Sequence, residues 1–226
     1  TPMNHNENVS ALGDGEYNYN PTTGVLTIKS STYSAFEVTY TYNFVAATGG
    51  QGYTTLEEAF TAAKDGALIT VLKDITLTGT WTPVDNFKGT LDGNGHTISG
   101  LHVSGKDYVG LIGVLDGGTV KNLKFANVTA TGAENVGAVV GRIIDNGKVE
   151  NVHVLSGTVT GGKRAGGIVG SIKAYGSIVN CSNAATVKTT VYNAGGIVGA
   201  AYYTVTGQQM YITNCKNTGK VTSDGN

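Results

Sequence analysis

A short apolar segment that ends in glycine recurs four times in the second half of the chain. Each copy places branched aliphatic residues directly before the closing glycine, as in the run Gly167–Gly170. The closing glycines are spaced at intervals of 28, 29 and 29 residues: Gly113, Gly141, Gly170 and Gly199. A fixed period of this size, built from short β-branched runs, is typical of a solenoid in which each repeat stacks on the one before it.

A second landmark, an asparagine at the end of another apolar run, accompanies each copy. The four asparagines follow one another at intervals of 29, 29 and 34 residues: Asn122, Asn151, Asn180 and Asn214. In stacked repeats they form one column, in which amides can hydrogen-bond along the solenoid axis and to backbone groups of the turn. We expect this role to be structural, because amides are poor acids and bases. The longer last interval indicates an insertion over Ala200–Tyr211.

The repeat length leaves room for three short strands and three turns per coil. The sequence therefore predicts an all-β fold, a right-handed parallel β-helix. One helix is predicted before it, over Tyr53–Ala67, where Thr54 and Glu57 have the spacing of a capping box. The apolar residues of this segment recur at helical intervals: Leu56, Ala59, Phe60 and Ala63. We expect the helix to cover the open end of the first coil, where strand edges would otherwise be unpaired.

The region before the helix has the alternating pattern of β-strands. Polar and apolar residues alternate over Gly15–Asn20, Val25–Lys29 and Phe36–Phe44, which predicts a small antiparallel β segment. We therefore divide the chain in two. Residues 1–48 form an N-terminal β-strand segment, either a cap or the remnant of an immunoglobulin-like module. Residues 49–226 form the capping helix and a parallel β-helix with four repeats.

Composition argues against several classes of function. Charged residues make up 14% of the chain and the net charge is −1, so neither nucleic acid nor a membrane surface is predicted as a partner. No apolar run is long enough to cross a bilayer. The four histidines show no metal-ligand spacing and no nucleophile or phosphate-loop motif is present, so neither a metal nor a cofactor is predicted.

The two cysteines, Cys181 and Cys215, occupy the same position in consecutive repeats. Equivalent residues of adjacent coils lie about 4.8 Å apart, which is wider than the roughly 3.5–4.5 Å between the β-carbons of a disulfide. A pair of buried thiols is therefore favoured, although a disulfide could form with local distortion.

The repeats resemble a known family. The order GGIVG, then I-x-N-C, then G-x-V-T is similar to the GLUG-type repeat of bacterial cell-surface proteins and of some secreted immunoglobulin-A-cleaving peptidases. The third and fourth repeats carry it best, through Gly166–Gly170 and Gly195–Gly199, whereas Leu123 and Val152 replace the cysteine in the first two. The helix and the segment after it resemble the entry region of pectate-lyase-like β-helices. The resemblance implies a fold and a surface location, and it implies no activity because the repeats are not the catalytic part of such peptidases.

One pair of carboxylates stands at a repeat interval. Asp116 and Asp145 are 29 residues apart and each precedes a turn glycine or asparagine. Adjacent coils would place them near one another, and paired carboxylates serve glycoside hydrolysis and cation-dependent elimination. Asp at a turn is also ordinary turn chemistry, and Ala174 occupies the equivalent position in the next repeat. We expect a turn role, with an acid pair as the alternative.

Tyrosines gather around the inserted segment. Tyrosines exposed together offer flat apolar faces with a polar rim, which suits sugar stacking or a protein contact. The other interpretation is that they cover the last coil of the solenoid, and the sequence leaves both open. The candidate ligand-binding residues are Tyr175, Tyr202, Tyr203 and Tyr211.

These observations predict a non-catalytic module on the outside of a bacterial cell, either secreted or at the surface, and part of a larger protein. It would act as a spacer or in an adhesin-like role, with glycans or host surface proteins as partners. The alternative is a polysaccharide-degrading enzyme of the β-helix type, a lyase or a glycoside hydrolase, which would use the Asp116 and Asp145 pair.

Overall fold

The computed structural model describes residues 4–5, 16–20, 25–29, 43–173, 175–202 and 209–225. Within them lies one α-helix, α1 (Leu56–Ala62). The strands in chain order are β1 (Asn4–His5), β2 (Glu16–Asn20), β3 (Val25–Lys29), β4 (Ala46–Thr48), β5 (Gln51–Tyr53), β6 (Leu68–Val71), β7 (Ile75–Thr76), β8 (Thr90–Asp92), β9 (Thr97–Ser99), β10 (His102–Gly105), β11 (Ile112–Asp116), β12 (Thr119–Ala126), β13 (Val128–Gly132), β14 (Val136–Gly137), β15 (Val140–Ile144), β16 (Gly147–Val154), β17 (Gly157–Gly161), β18 (Arg164–Gly166), β19 (Val169–Lys173), β20 (Gly176–Val179), β21 (Ser182–Asn183), β22 (Thr186–Thr189), β23 (Asn193–Gly195), β24 (Val198–Tyr202), β25 (Met210–Thr213), β26 (Lys216–Asn217) and β27 (Val221–Ser223).

The strands from β6 onward stack as a parallel solenoid. The largest sheet contains β6, β8, β12, β16, β20 and β25, and a second sheet has the order β10-β13-β17-β22-β27. We call the four-stranded sheet β11-β15-β19-β24 the cassette sheet and the three-stranded sheet β14-β18-β23 the narrow sheet. The all-β parallel solenoid with a single short helix, predicted from the repeat period, is confirmed.

The core is built from columns of apolar side chains that stack from coil to coil. Leu91 lies opposite Val120, which lies opposite Val149, and the column continues through Ile178 to Ile212. Its first four members are fully buried, whereas Ile212 in the last described coil is 48% exposed. Because side chains alternate across a strand, the neighbours of these residues along each strand face outward.

The helix covers the first coil, but it is shorter than predicted and its cap is one residue later. Its N-cap is Thr55, whose side chain accepts a hydrogen bond from the Glu58 backbone N–H, while Glu58 accepts from the Thr55 backbone. Thr54 and Glu57 therefore do not form the capping box. The chain leaves the helix at Ala63, which is already extended, so the predicted end at Ala67 is wrong.

The apolar face of the helix is as predicted. Leu56 and Ala59 are buried. Phe60 packs edge-on against Trp81 and Phe87 of the first coil, with ring centroids 6.1 Å and 5.3 Å away. The helix thus buries apolar surface that the first coil would otherwise expose.

The N-terminal segment contains a small three-stranded sheet. β2 and β3 pair antiparallel, and β1 adds to β2 in parallel. The predicted strand over Phe36–Phe44 lies mostly outside the described residues, and Phe44 itself is not in a strand. The division between residues 48 and 49 stays a prediction. β4, which ends at that point, pairs antiparallel with both β5 and β6, so it extends the largest sheet of the solenoid.

Both cysteines are free thiols, as favoured by the sequence. Cys181 is buried and donates to the carbonyl oxygen of Val179 at 3.2 Å. Cys215 is half-buried and donates to that of Thr213 at 3.4 Å. Burial raises the pKa of the Cys181 thiol to about 12.

Candidate functional site

The recurring glycines lie where the narrow sheet of one coil packs against the cassette sheet of the next. A β-carbon on Gly141 would lie 2.4 Å from the carbonyl carbon of Tyr108. The same contact recurs one coil later, where a β-carbon on Gly170 would lie 2.4 Å from the carbonyl carbon of Asn135. Only glycine allows two backbones to approach this closely.

A second close approach involves the glycine four residues before the closing glycine in the second and third repeats. A β-carbon on Gly137 would lie 2.3 Å from the carbonyl oxygen of Val140, and one on Gly166 would lie 2.0 Å from that of Val169. The glycines therefore allow a tight backbone corner beside the buried aliphatic side chains of the repeat. Its glycines shape the solenoid edge and carry no chemistry of their own.

The asparagine column forms an amide ladder. Its four members all have left-handed backbone conformations, with φ between 52° and 56°: Asn122, Asn151, Asn180 and Asn214. Asn151 Nδ2 donates to Asn122 Oδ1 at 3.0 Å, and Asn214 Nδ2 donates to Asn180 Oδ1 at 3.2 Å. Asn122 Nδ2 donates in turn to Asp92 Oδ1 at 3.1 Å. Asparagine suits this column because its side chain tolerates positive φ and bonds locally.

His153 forms a hydrogen bond with the amide ladder at Asn151. His153 Nε2 lies 3.1 Å from Asn151 Oδ1, and His153 Nδ1 lies 2.9 Å from Ser182 Oγ. Because Asn151 already donates its amide to Asn122, its Oδ1 is the acceptor for the imidazole. In the neutral tautomer that fits these contacts the proton is on Nε2, and Nδ1 accepts a hydrogen bond from the Ser182 hydroxyl. The imidazole thereby ties two coils together on the outer face.

A strip of arginine and tyrosine side chains runs along the outside of the glycine corner. The Arg142 guanidinium lies 4.9 Å from the ring centroid of Tyr108, and its NH1 donates to the Tyr108 hydroxyl at 2.9 Å. The Arg164 guanidinium lies 5.1 Å from the ring centroid of Tyr202. We call these four residues the Arg–Tyr strip. Each stacked pair contributes about 0.5–1 kcal/mol at such a partly exposed site.

Glu134 lies beside Arg164 of the Arg–Tyr strip. It forms an ion pair with Lys163, and its Oε2 lies 3.5 Å from Arg164 NH1. The hydrogen bond from Lys163 is the main cause that lowers the pKa of Glu134, and the positive charges of Arg164 and Arg142 act in the same direction. One carboxylate thus pairs with two cations, Lys163 and Arg164.

A buried amide lies between the two arginine-bearing coils. Asn135 occupies the position equivalent to Tyr108 and Arg164, because Val136 is opposite both Val109 and Ala165. Asn135 is 2% exposed, and its Oδ1 is buried with no hydrogen-bond partner in the described part of the chain. Its φ of 45° explains asparagine there, but the unpaired oxygen has no structural compensation.

Of the predicted tyrosines that the structure describes, Tyr175 and Tyr211 are exposed, Tyr202 is half-buried, and they lie on more than one face. Tyr211 is 54% exposed and lies opposite Ser177 on the largest sheet, and Tyr175 is 40% exposed in the turn before that sheet. Tyr202 lies at the end of the cassette sheet, under Arg164. Tyr203 lies outside the described residues. Among the described residues no ring contact joins Tyr175, Tyr202 and Tyr211.

The two aspartates do not occupy equivalent positions. Asp116 lies opposite Ile144 and forms an ion pair with Lys88 at 3.5 Å. Asp145 follows Ile144 in a turn, with a φ of 50°, and is exposed. The interval of 29 does not make them equivalent, because three residues separate Ile144 from Lys148 whereas two separate their partners Asp116 and Thr119. No group of three or more metal-ligating side chains occurs in the described ranges.

Sequence reasoning missed Tyr108 and Tyr192. Tyr192 is 57% exposed, and it precedes Asn193, whose backbone N–H donates to the carbonyl oxygen of Lys163 at 2.8 Å. Tyr108 has a φ of 53°, which is uncommon for an aromatic residue. The repeat register contained the signal for Tyr108. It stands one residue before Val109, as Asn135 does before Val136, so its position on the solenoid edge follows from aligning those apolar residues.

Comparison with known proteins gives limited relationships. No protein-family model matches the chain. An alignment of 71 positions, which covers 28% of the chain, is 46% identical to halomucin from Haloquadratum walsbyi and covers 1% of that protein. A solved structure from Bacteroides ovatus, described as a candidate immunoglobulin A1 protease, aligns over 76% of both chains with 17% identity and a TM-score of 0.41. No helix within the described residues is long and apolar enough to cross a membrane.

Proposed function

We propose that the chain is a non-catalytic, extracellular module of a bacterial surface protein. It acts as a rigid scaffold or spacer whose exposed tyrosines contact glycans or host surface proteins in an adhesin-like role. The observation that carries this proposal is the set of exposed aromatic side chains on a stacked, repeat-built framework: Tyr175, Tyr192 and Tyr211.

The physical basis of the proposed binding is the free-energy cost of exposing aromatic rings to water. Tyrosine offers a large contact area, loses little side-chain entropy on binding, and its hydroxyl can hydrogen-bond at the rim of a contact. Tyr211 lies in strand β25, and Tyr175 and Tyr192 directly precede strands β20 and β23, which the parallel solenoid holds in register. Ligand binding at such side chains therefore requires little ordering of the protein.

The relationship to halomucin supports an extracellular location. That protein is a mucin by name, and the matching segment is 46% identical to this chain. The activity and partners of so long a protein are not transferred, since the chain spans only 1% of it.

A polysaccharide-degrading enzyme is the competing proposal, and it needs two cooperating carboxylates. Asp116 is offset from Asp145 by the turn register and is engaged by Lys88. This arrangement favours the turn role, since an acid pair in a glycosidase must face one substrate bond.

A glycan array tests the proposal. The chain would be compared with a Tyr175→Ala/Tyr211→Ala variant, and with a control variant, Thr129→Ala/Thr158→Ala, that alters exposed residues of a different sheet. We expect retention on a defined set of glycans that is lost in the tyrosine variant and kept in the threonine variant. A blank array for a folded sample would overturn glycan binding and leave the spacer role.

A further inference from the structure

We propose that the Arg–Tyr strip binds the carboxylate of an acidic sugar. This inference rests on the proposed glycan-binding function and specifies the ligand class. It shares Tyr202 with the tyrosines singled out in the sequence.

Arg142 is the first part of the argument, because it is positioned without an acidic partner. Its Nε donates to Ser171 Oγ at 3.3 Å, its NH1 donates to the Tyr108 hydroxyl at 2.9 Å, and its guanidinium carbon lies 4.9 Å from the Tyr108 ring centroid. It forms no ion pair within the described residues. A guanidinium has five N–H donors in a rigid fork that matches a carboxylate, so donors remain available.

The local charge is the second part. Lys163 and Arg164 share the single carboxylate of Glu134, so the strip retains positive charge after its own ion pairs are formed. This contrasts with the chain as a whole, whose net charge is −1. A ligand that brings a carboxylate would complete the charge balance. Because the arginines are only half-exposed, the attraction is screened less than at an open surface.

The stacked rings are the third part, and they favour a sugar over a simple anion. Tyr108 and Tyr202 lie at opposite ends of the strip, each against an arginine, and Tyr192 stands exposed beside Lys163. Flat aromatic faces next to guanidinium groups can accept the apolar face of a sugar ring while the charge meets its acid group. The observations thus combine a binding mode for a ring with one for a carboxylate.

The test compares oligogalacturonate with its full methyl ester, because esterification removes the charge and keeps the sugar backbone. Binding would be measured by calorimetry for the chain, for Arg142→Gln and Arg164→Gln, and for Lys148→Gln. The last variant removes one charge from an exposed lysine on the largest sheet. We expect about tenfold or greater loss of affinity for the acidic oligomer in each arginine variant, and little change in Lys148→Gln.

Two results would overturn the inference. Equal affinity for the acid and its ester would show that charge does not select the ligand. Binding of polyglutamate with the same affinity and the same dependence on Arg142 would show an anionic protein site instead of a sugar site. Neutral glycans retained through Tyr175 and Tyr211, with no effect of the arginine variants, would reject this inference while the proposed function stands. No binding of any glycan would reject both.

Discussion

Gly141 lies against the backbone of Tyr108, so closely that a β-carbon on this glycine would be 2.4 Å from the tyrosine carbonyl carbon. The next residue, Arg142, reaches the ring and the hydroxyl of the same tyrosine. The glycine of the repeat and the side-chain contact on the outer edge are therefore two consequences of one close approach between successive coils.

Because the backbones approach each other so closely at the corner, adding a methyl group there should destabilise the protein more than adding one to a glycine elsewhere. In Gly166→Ala the β-carbon would lie 2.0 Å from the carbonyl oxygen of Val169, whereas in Gly105→Ala the nearest atom, a methyl group of Val109, is 3.3 Å away. We expect Gly166→Ala to lower the free energy of unfolding by about 3 kcal/mol, and Gly105→Ala to change it by less than about 1 kcal/mol. Urea denaturation followed by circular dichroism measures both. Equal costs would contradict the backbone corner.

The apolar columns predict that a buried charge lowers the free energy of unfolding more in the middle of the solenoid than near its last described coil. Ile168 is fully buried, whereas Ile197 is only partly buried. Ile168→Asp should cost about 3–5 kcal/mol or prevent folding, because the carboxylate has no partner in the core. Ile197→Asp should cost clearly less. Thermal melting of the two variants compares them, and unchanged melting of Ile168→Asp would show that its side chain does not face inward.

Two substitutions of Asn151 in the amide ladder separate the effect of its backbone conformation from the effect of its side-chain hydrogen bonds. Its φ is 52°, which alanine adopts at a cost of about 1–2 kcal/mol and glycine adopts freely. Both substitutions remove the bonds to Asn122 and His153. We therefore expect Asn151→Gly to be mildly destabilised and Asn151→Ala to be less stable than it by about 1 kcal/mol. Equal stability of the alanine variant and the natural chain would contradict the ladder.

The two thiols should react with an alkylating reagent at different rates. Cys181 is buried and its pKa is raised to about 12 from the model-compound value of 9.0, so its thiolate is scarce at neutral pH. Cys215 is half-buried and should be labelled first. Mass spectrometry of a timed reaction at pH 8 gives the order, and faster labelling of Cys181 would contradict its burial.

The raised pKa of the Cys181 thiol also predicts that the protein loses stability at alkaline pH. A thiol whose pKa is raised on folding favours the folded state while it stays protonated, so this contribution is intact below about pH 9 and fades as the pH rises toward 12. Denaturant unfolding between pH 8 and 11 should show a smaller alkaline decline in Cys181→Val than in the natural chain. An identical decline would indicate that Cys181 is not the group responsible.

The sequence was most informative where a pattern repeats. The period predicts the parallel stacking, and the inward columns follow from it. The helix cap shows the limit at single residues, because Thr54 with Glu57 and Thr55 with Glu58 have the same spacing. Only the extended backbone of Thr55 decides between them.

The candidate site depended on details that interval counting does not capture. One additional residue between Ile144 and Lys148, relative to the paired coil, moves Asp145 away from the position equivalent to Asp116. The pairing of Arg142 with Tyr108 joins residues 34 positions apart on neighbouring coils, so it follows from how two sheets meet and not from the repeat interval.

The central claim, that this module binds saccharide without cleaving it, is tested most directly by one incubation. The chain would be mixed with acidic and neutral polysaccharides, and both retention and the size of the polysaccharide would be followed by chromatography. We predict retention of the acidic polymer with its length unchanged. Shortening of any polysaccharide that disappears in Asp116→Ala or Asp145→Ala would contradict the account and establish the enzyme instead.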